Sequence, residues 1–184
     1  MNSFGKICVG KSKFHRKGLV ALRPIKRGEL VFRIQGKKIK FLINNPKQAA
    51  KAGLNWVGWG KNIWINPVSF GVFINHSCSP NTGLRKKINV IAIKNIKAGE
   101  EITFDYSLSE ADIFWNFKCN CGSKNCRKII RSIQFLPEKI FKKDKKYIPP
   151  YFQGIFHKFR IANSKNRAEL RKKWANFIEK GFRV

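Results

Sequence analysis

The stretch FINHSCSPN, Phe73 to Asn81, decides how this chain is read. A short apolar run gives way at once to two asparagines, a histidine, a cysteine and a proline. That is too polar for a buried strand and too particular for an ordinary connection, because amide, imidazole and thiol groups are the ones that hold ligands, metals or a neighbouring backbone.

The rest of the composition bounds what such a segment can serve. The chain has 184 residues, 43% hydrophobic and 13% aromatic, enough for one compact domain with a small appendage and too apolar for a disordered chain. No apolar run approaches the roughly 18 to 20 residues of a membrane span, and MNSFGKICVGKSKFHRKG at the start lacks the apolar core of a secretory signal. A soluble, intracellular protein is expected. With 39 Lys and Arg against 10 Asp and Glu the net charge is +29, which forecasts an anionic partner such as DNA, RNA or an acidic membrane surface, and salt-sensitive binding to polyanions. A lysine-rich proteome would give the same charge as background. Five of the ten acids, Glu100, Glu101, Asp105, Glu110 and Asp112, fall within 13 residues, either to meet a cation or to relieve local repulsion.

Along the chain, ALRPIKRGELVF from Ala21 and AIKNIKAGEEITF from Ala92 share one pattern, each reading as strand, tight turn at Gly28 or Gly99, strand. NIWI (62–65), GVFI (71–74) and INVIAI (88–93) are further strand candidates. Short strands punctuated by Gly and Asn favour a small all-β body. NNPKQAAKAG predicts a short helix with Asn45 as its cap and Gly53 past its end. After Ile133 the chain turns basic and aromatic, and Leu170, Trp174, Phe177 and Ile178 recur at helical spacing, predicting a helix over about 165–180 that docks on the domain or on a partner.

Five cysteines, Cys8, Cys78, Cys119, Cys121 and Cys126, argue against a disulfide framework in a chain with no export signal. Three of them lie in CNCGSKNC (119–126), and three thiolates within eight residues suit zinc. A tetrahedral site wants a fourth ligand, for which Cys78, His76 and Cys8 are the candidates.

FINHSCSPN, then IKAGEEITFDY (96–106), then CNCGSKNCR (119–127), in that order, resemble the SET-domain protein lysine methyltransferases with their cysteine-rich post-SET segment. The resemblance covers about Phe14 to Arg127. It implies a mainly β SET-domain β-clip fold in which the ITFDY strand passes through a loop closed around NHSCSPN, a pseudoknot. It divides the chain into a SET domain (1–117, with an insert at about 37–66), a post-SET zinc segment (118–133) and a C-terminal extension (134–184). Cys78, Cys119, Cys121 and Cys126 would then hold the zinc. Lys17, Gly18, Leu19, Asn75, His76 and Tyr106 would bind S-adenosylmethionine, with Tyr106 as the catalytic tyrosine. The sequence departs from the family at Arg16, where the cofactor loop has a glycine, at Val72, where the family has arginine, and at Lys128, where glycine is common.

Methyl transfer to an amine demands alignment more than acid–base power, and an apolar, aromatic channel disfavours the ammonium form of lysine. Phe104 stands where the family tunes product multiplicity; a phenylalanine leaves room for an amine that already bears methyls, which implies di- or trimethylation. The expected substrate is a basic protein, a histone or histone-like DNA-packing protein, with the basic surface holding nucleic acid and the enzyme working in a nucleus, a nucleoid or a host nucleus. A ribosomal protein as substrate and a non-catalytic, zinc-stapled nucleic-acid-binding module are the competing readings. Oligomeric state is open at this level.

Overall fold

The two copies of the repeated pattern pack against each other, and their pairing makes the centre of the fold. The computed structural model describes residues 5–40, 56–112 and 115–159. Strand β2 (Lys17–Ala21) leads through the first corner into β3 (Leu30–Arg33), and β9 (Asn89–Ala92) leads through the second into β10 (Glu101–Phe104). Across the centre, the Ile25 and Ile96 amides each donate to the other's carbonyl at 2.9 Å. Around that bridge the bonds are mirrored. Ala21 N–H donates to Glu100 O and Gly99 N–H to Ala21 O, at 3.0 and 2.8 Å, while Ala92 N–H donates to Glu29 O and Gly28 N–H to Ala92 O, at 3.0 and 2.8 Å.

The pattern's residues now have reasons. Gly28 and Gly99 take φ of +89° and +77°, a region costly for any residue with a Cβ. Glu29 and Glu100 each turn a carboxylate oxygen back onto the amide three residues earlier, Lys26 at 3.1 Å and Lys97 at 3.0 Å. The strand, turn, strand reading of each copy holds, but neither turn closes a hairpin: β2 pairs with β10, and β3 with β9, so each corner's strands pair with those of the other. Ile25 and Ile96 are both 1% exposed and belong to the main hydrophobic core.

Three small sheets surround this centre. One has the order β1–β2–β10–β7, with β1 at Ile7–Lys11 and β7 at Asn75–His76. Another is β3–β9–β8, with β8 at Thr82–Arg85, and the third β4–β6–β5, from Gln35–Lys40, Ile63–Val68 and Val57–Gly60. A two-stranded ribbon, β11 (Asn116–Lys118) with β12 (Ile129–Arg131), frames the cysteine segment. The mainly β fold is thus as expected. GVFI, read as a strand, is instead the end of a 3-10 turn, Ser69–Val72, running into β7. Ser69 enters that turn at φ +54°, and Phe70 and Gly71 are buried by the turn rather than by a ladder.

Residues past 134 build two helices that the sequence reading did not resolve, α1 (Glu138–Asp144) and α2 (Pro150–Phe159). Pro150 opens α2, where a missing N–H costs nothing. Phe141 and Phe156 stack at 3.7 Å and 6°, and the buried Phe152 ring fills the space a side chain at Gly58 would need. The helix expected in NNPKQAAKAG and the one over about 165–180 lie outside the described residues. Among those described, no helix is long and apolar enough to cross a membrane.

Candidate active site and metal centre

Strand β10 separates two cavities because successive side chains on a strand point to opposite faces. Glu101 and Thr103 line an open groove of about 330 Å3, while Phe104 lines a tight cavity of about 40 Å3 on the other side. The segment that follows β7 is stitched to this strand. β7 pairs in parallel with β10, Asn75 opposite Thr103 and His76 opposite Phe104. Asn81 then clamps it: Nδ2 donates to Glu101 O at 2.7 Å and to Glu100 Oε1 at 3.0 Å, and Oδ1 accepts from Thr103 N–H at 2.8 Å. This is the association between NHSCSPN and the ITFDY strand that the expected pseudoknot requires.

In the groove, Asn75 Nδ2 donates to Lys17 O at 2.9 Å and to Glu101 Oε1 at 2.7 Å, and Ser12 Oγ donates to Glu101 Oε2 at 3.0 Å. A Cβ on Gly18 would run into the Glu101 carboxylate and stand 2.9 Å from the Asn75 amide, so a larger residue there would have to displace two side chains that are hydrogen-bonded to each other. Arg16, by contrast, is exposed. Leu19 is buried in the core and leaves only its backbone to the β1–β2–β10 ladder.

The tight cavity is walled by Trp56, Trp115, Ile74, Phe104, Tyr106 and Glu110, among others. Tyr106 O–H donates to Ile74 O at 2.6 Å, and its backbone N–H donates to His76 Nδ1 at 3.2 Å. Burial, with a smaller push from the Glu101 charge, raises the Tyr106 phenol well above its usual range, so it stays protonated. His76 is held neutral, pushed down to about 4 by burial against the opposing pull of Asp105. With Nδ1 accepting, Nε2 carries the ring proton and faces Cys78 Sγ at 3.4 Å.

Beside His76 lies the metal centre. The sulfurs of Cys78, Cys119, Cys121 and Cys126 all lie within 4.8 Å of one another, and Cys78 and Cys119 are 3.9 Å apart. Four thiolates about 2.3 Å from one zinc stand roughly 3.8 Å apart, so the cluster fits that ion. Of the three candidates for fourth ligand, Cys78 joins the group and Cys8 lies on β1. Burial pushes the Cys78 and Cys119 thiols up, whereas at Cys121 hydrogen bonds from the Cys78 amide and Ser123 overcome burial and bring it down to about 6.

Several residues at the site take roles that sequence reasoning did not assign to them. Asp105, given no chemistry, is fully buried and accepts from Arg127 Nη2 at 2.6 Å, while the Arg127 amide donates to Cys78 Sγ at 3.3 Å. The pair thus ties the ITFDY strand to the metal segment. Lys128 takes φ +63°, which accounts physically for a preference for glycine there. The acidic cluster proves to be divided: Glu100 and Glu101 line the groove, and Glu110 lines the tight cavity. Only their crowding along the chain marked them, and nothing in it showed which face each would reach.

Comparison with known proteins agrees with this architecture. The family described as SET domain matches residues 16–107, half of the chain. Histone-lysine N-methyltransferase 2B of Homo sapiens is 31% identical over 139 residues, 66% of this chain. The variant-silencing SET domain-containing protein of Plasmodium falciparum is 34% identical over 128 residues, 59% of this chain. The chain spans about 5% of the length of each. Among solved structures, KRYPTONITE in complex with mCHH DNA, an H3(1–15) peptide and SAH shares the fold at a TM-score of 0.54 and 22% identity, over 67% of this chain and 29% of that one. With the matched segment holding the corner pair, the β7–β10 stitching and Tyr106, this chain belongs to the SET-domain family.

Proposed function

We propose that this chain is an S-adenosylmethionine-dependent protein-lysine N-methyltransferase that adds two or three methyls to a lysine of a histone or histone-like DNA-packing protein. The observation that carries the reading is the pair of cavities on opposite faces of β10, one polar and roomy, the other narrow, aromatic and bordered by the Tyr106 hydroxyl. A methyl donor and a lysine side chain that must meet in line need such an arrangement.

The groove suits the donor. Its volume is within the range of small-molecule sites, Glu100 and Glu101 offer carboxylates to a cationic ligand, and Lys11, Lys13 and Lys94 offer charge to a carboxylate. When bound, S-adenosylmethionine supplies an electrophilic methyl on a sulfonium. Gly18, the Lys17 backbone and Asn75 form the floor on which it would rest. In the narrow cavity, Trp56, Trp115 and Phe104 wall the lysine side chain with aromatic faces, which suit the methylated ammonium that the transfer produces. Tyr106 commits its proton to Ile74 O, so its oxygen presents lone pairs to an incoming amine N–H and fixes its direction. Phe104 brings no hydroxyl that would hold a water or restrain a methylated amine, which favours more than one methyl.

The names of the human relative and of the structural neighbour's peptide support a histone-like substrate, and the charge of +29 supports docking on nucleic acid. One basic and aromatic surface stands out: Lys38 and Lys87 sit over the Trp59 ring at 4.3 and 5.3 Å, with Lys37 and Lys40 exposed on the same strand as Lys38. A nucleus or nucleoid is the matching compartment.

The test is intact mass spectrometry of core histones after incubation with the zinc-loaded protein and S-adenosylmethionine, with and without DNA, beside Tyr106→Phe. Gains of two or three methyls, lost in the variant by at least about a hundredfold and strengthened by DNA, are expected. No gain on histones, with gain on a ribosomal-protein extract, would replace the substrate class; no gain on either would remove the enzymatic reading.

A further inference from the structure

Glu110 is the one acid among the described residues that lines the narrow cavity, and like Glu100 and Glu101 in the groove it has no ion pair. Glu29, Asp105, Glu138 and Asp144 each lie within ion-pair distance of a Lys or Arg. No lysine or arginine among the described residues is paired with Glu110, in a chain where basic residues outnumber acids 39 to 10. Its Oε1 is instead fixed by two backbone amides, Ala111 at 2.7 Å and Asp112 at 2.8 Å, which hold the carboxylate rigidly while leaving it no countercharge. The same side chain lines the narrow cavity beside Trp56, Trp115, Phe104 and Tyr106. Aromatic faces with one carboxylate are the chemistry that receives an alkylammonium ion.

We propose that Glu110 is the group that meets the substrate lysine in the channel, first binding its ammonium and then taking its proton. This rests on the lysine methyltransferase reading and goes beyond it by naming the proton acceptor. In the step, an N–H bond of the ammonium breaks, an O–H bond forms on Glu110, and the nitrogen keeps the electron pair it needs to attack a methyl carbon. Glu110 then returns the proton to water, and the carboxylate is restored for the next lysine.

The surroundings support that role. Burial, together with the nearby Asp112 charge, pushes the Glu110 carboxyl up to about 7 despite the two amides that oppose the shift. A lysine ammonium near 10.4 faces an ordinary carboxylate across about 6 pH units, and this one across about 3, which shortens an uphill transfer. The groups that face Glu110 are Asp112 on its own segment, the Tyr106 and Trp115 rings around the cavity, and Tyr151 from α2, whose phenol is pushed up to about 12 by burial and by the Glu110 charge. Tyr106 cannot itself serve as the acceptor, because its phenol is held protonated and its proton is engaged by Ile74.

The experiment compares wild type with Glu110→Gln on core histones from pH 6 to 10, and follows the glutamate side-chain carboxyl carbons by NMR in the absence of substrate and cofactor. In wild type one carboxyl titrates near 7 and is missing from the variant. At pH 7 the variant turns over roughly a hundredfold more slowly, and it regains activity about tenfold per pH unit as the lysine deprotonates unaided. That recovery separates a lost proton acceptor from a misfolded protein, which would not recover. Equal rates and equal pH profiles, a variant that stays inactive to pH 10, or a Glu110 carboxyl titrating in the ordinary range overturn the proposal while leaving an active wild type and its methyltransferase reading intact. A wild type inactive on histones and ribosomal proteins alike overturns both.

Discussion

Replacing Asn81 by alanine removes the clamp between the NHSCSPN segment and β10, and its cost follows from the bonds it makes. Asn81 is 3% exposed, and its amide holds Glu101 O, Glu100 Oε1 and Thr103 N–H at 2.7, 3.0 and 2.8 Å. Three such bonds contribute about 1 kcal/mol each, and an orphaned backbone donor or acceptor adds about 1 kcal/mol more. The sum, about 3 to 5 kcal/mol, is a large fraction of the roughly 5 to 15 kcal/mol that stabilises a domain. Urea unfolding of the zinc-loaded protein, followed by tryptophan fluorescence, reads the change directly, and thermal unfolding is expected to fall by about 10 °C. Asn95→Ala is the control, since Asn95 accepts one bond, from the exposed Arg27 amide at 2.9 Å, and its loss should cost under about 1 kcal/mol. If Asn81→Ala loses no more than this control, the clamp does not hold the site together and the argument built on it fails.

Two further outcomes are expected. Cys78→Ser removes the ligand that joins the post-SET segment to β7, so zinc bound per chain, measured by elemental analysis after dialysis, should drop well below the one equivalent expected of wild type; full retention would mean that another group completes the site. At Glu29, contact with Lys6 above all, and then with Lys26 N–H and Arg23, pulls the carboxyl from 4.5 to about 2, so its stabilisation is present above about pH 4.5 and disappears as the pH falls through 2. Its side chain is a quarter exposed, so Glu29→Gln should cost about 1 kcal/mol at pH 7, well below the about 3 kcal/mol implied by the shift alone, and nothing at pH 2; a pH-independent loss would contradict the ion-pair account.

Much of this was legible in the sequence because the deciding motifs are local. Glycine and glutamate at fixed offsets make a corner wherever they occur, three closely spaced cysteines ask for a metal, and FINHSCSPN cannot be an ordinary strand. What it left open or misread is equally physical. A hairpin and a corner paired to a distant twin share one local pattern, and they differ only in where the backbone bonds go. GVFI has strand-like composition, but its first two residues close a turn entered at positive φ that buries Phe70 and Gly71.

By itself, then, the sequence determined that this is a small, basic, mainly β protein with a cysteine cluster and the motifs of the SET-domain family, since composition and short-range spacing carry those properties. Tertiary structure alone decided what required distant chain segments to meet. It brought Cys78 to the other three cysteines, set Asp105 against Arg127, and seated the two corners on each other. It also divided one run of acids between the two faces of β10, because strand alternation and the turn that follows, rather than proximity along the chain, choose the cavity that each carboxylate reaches.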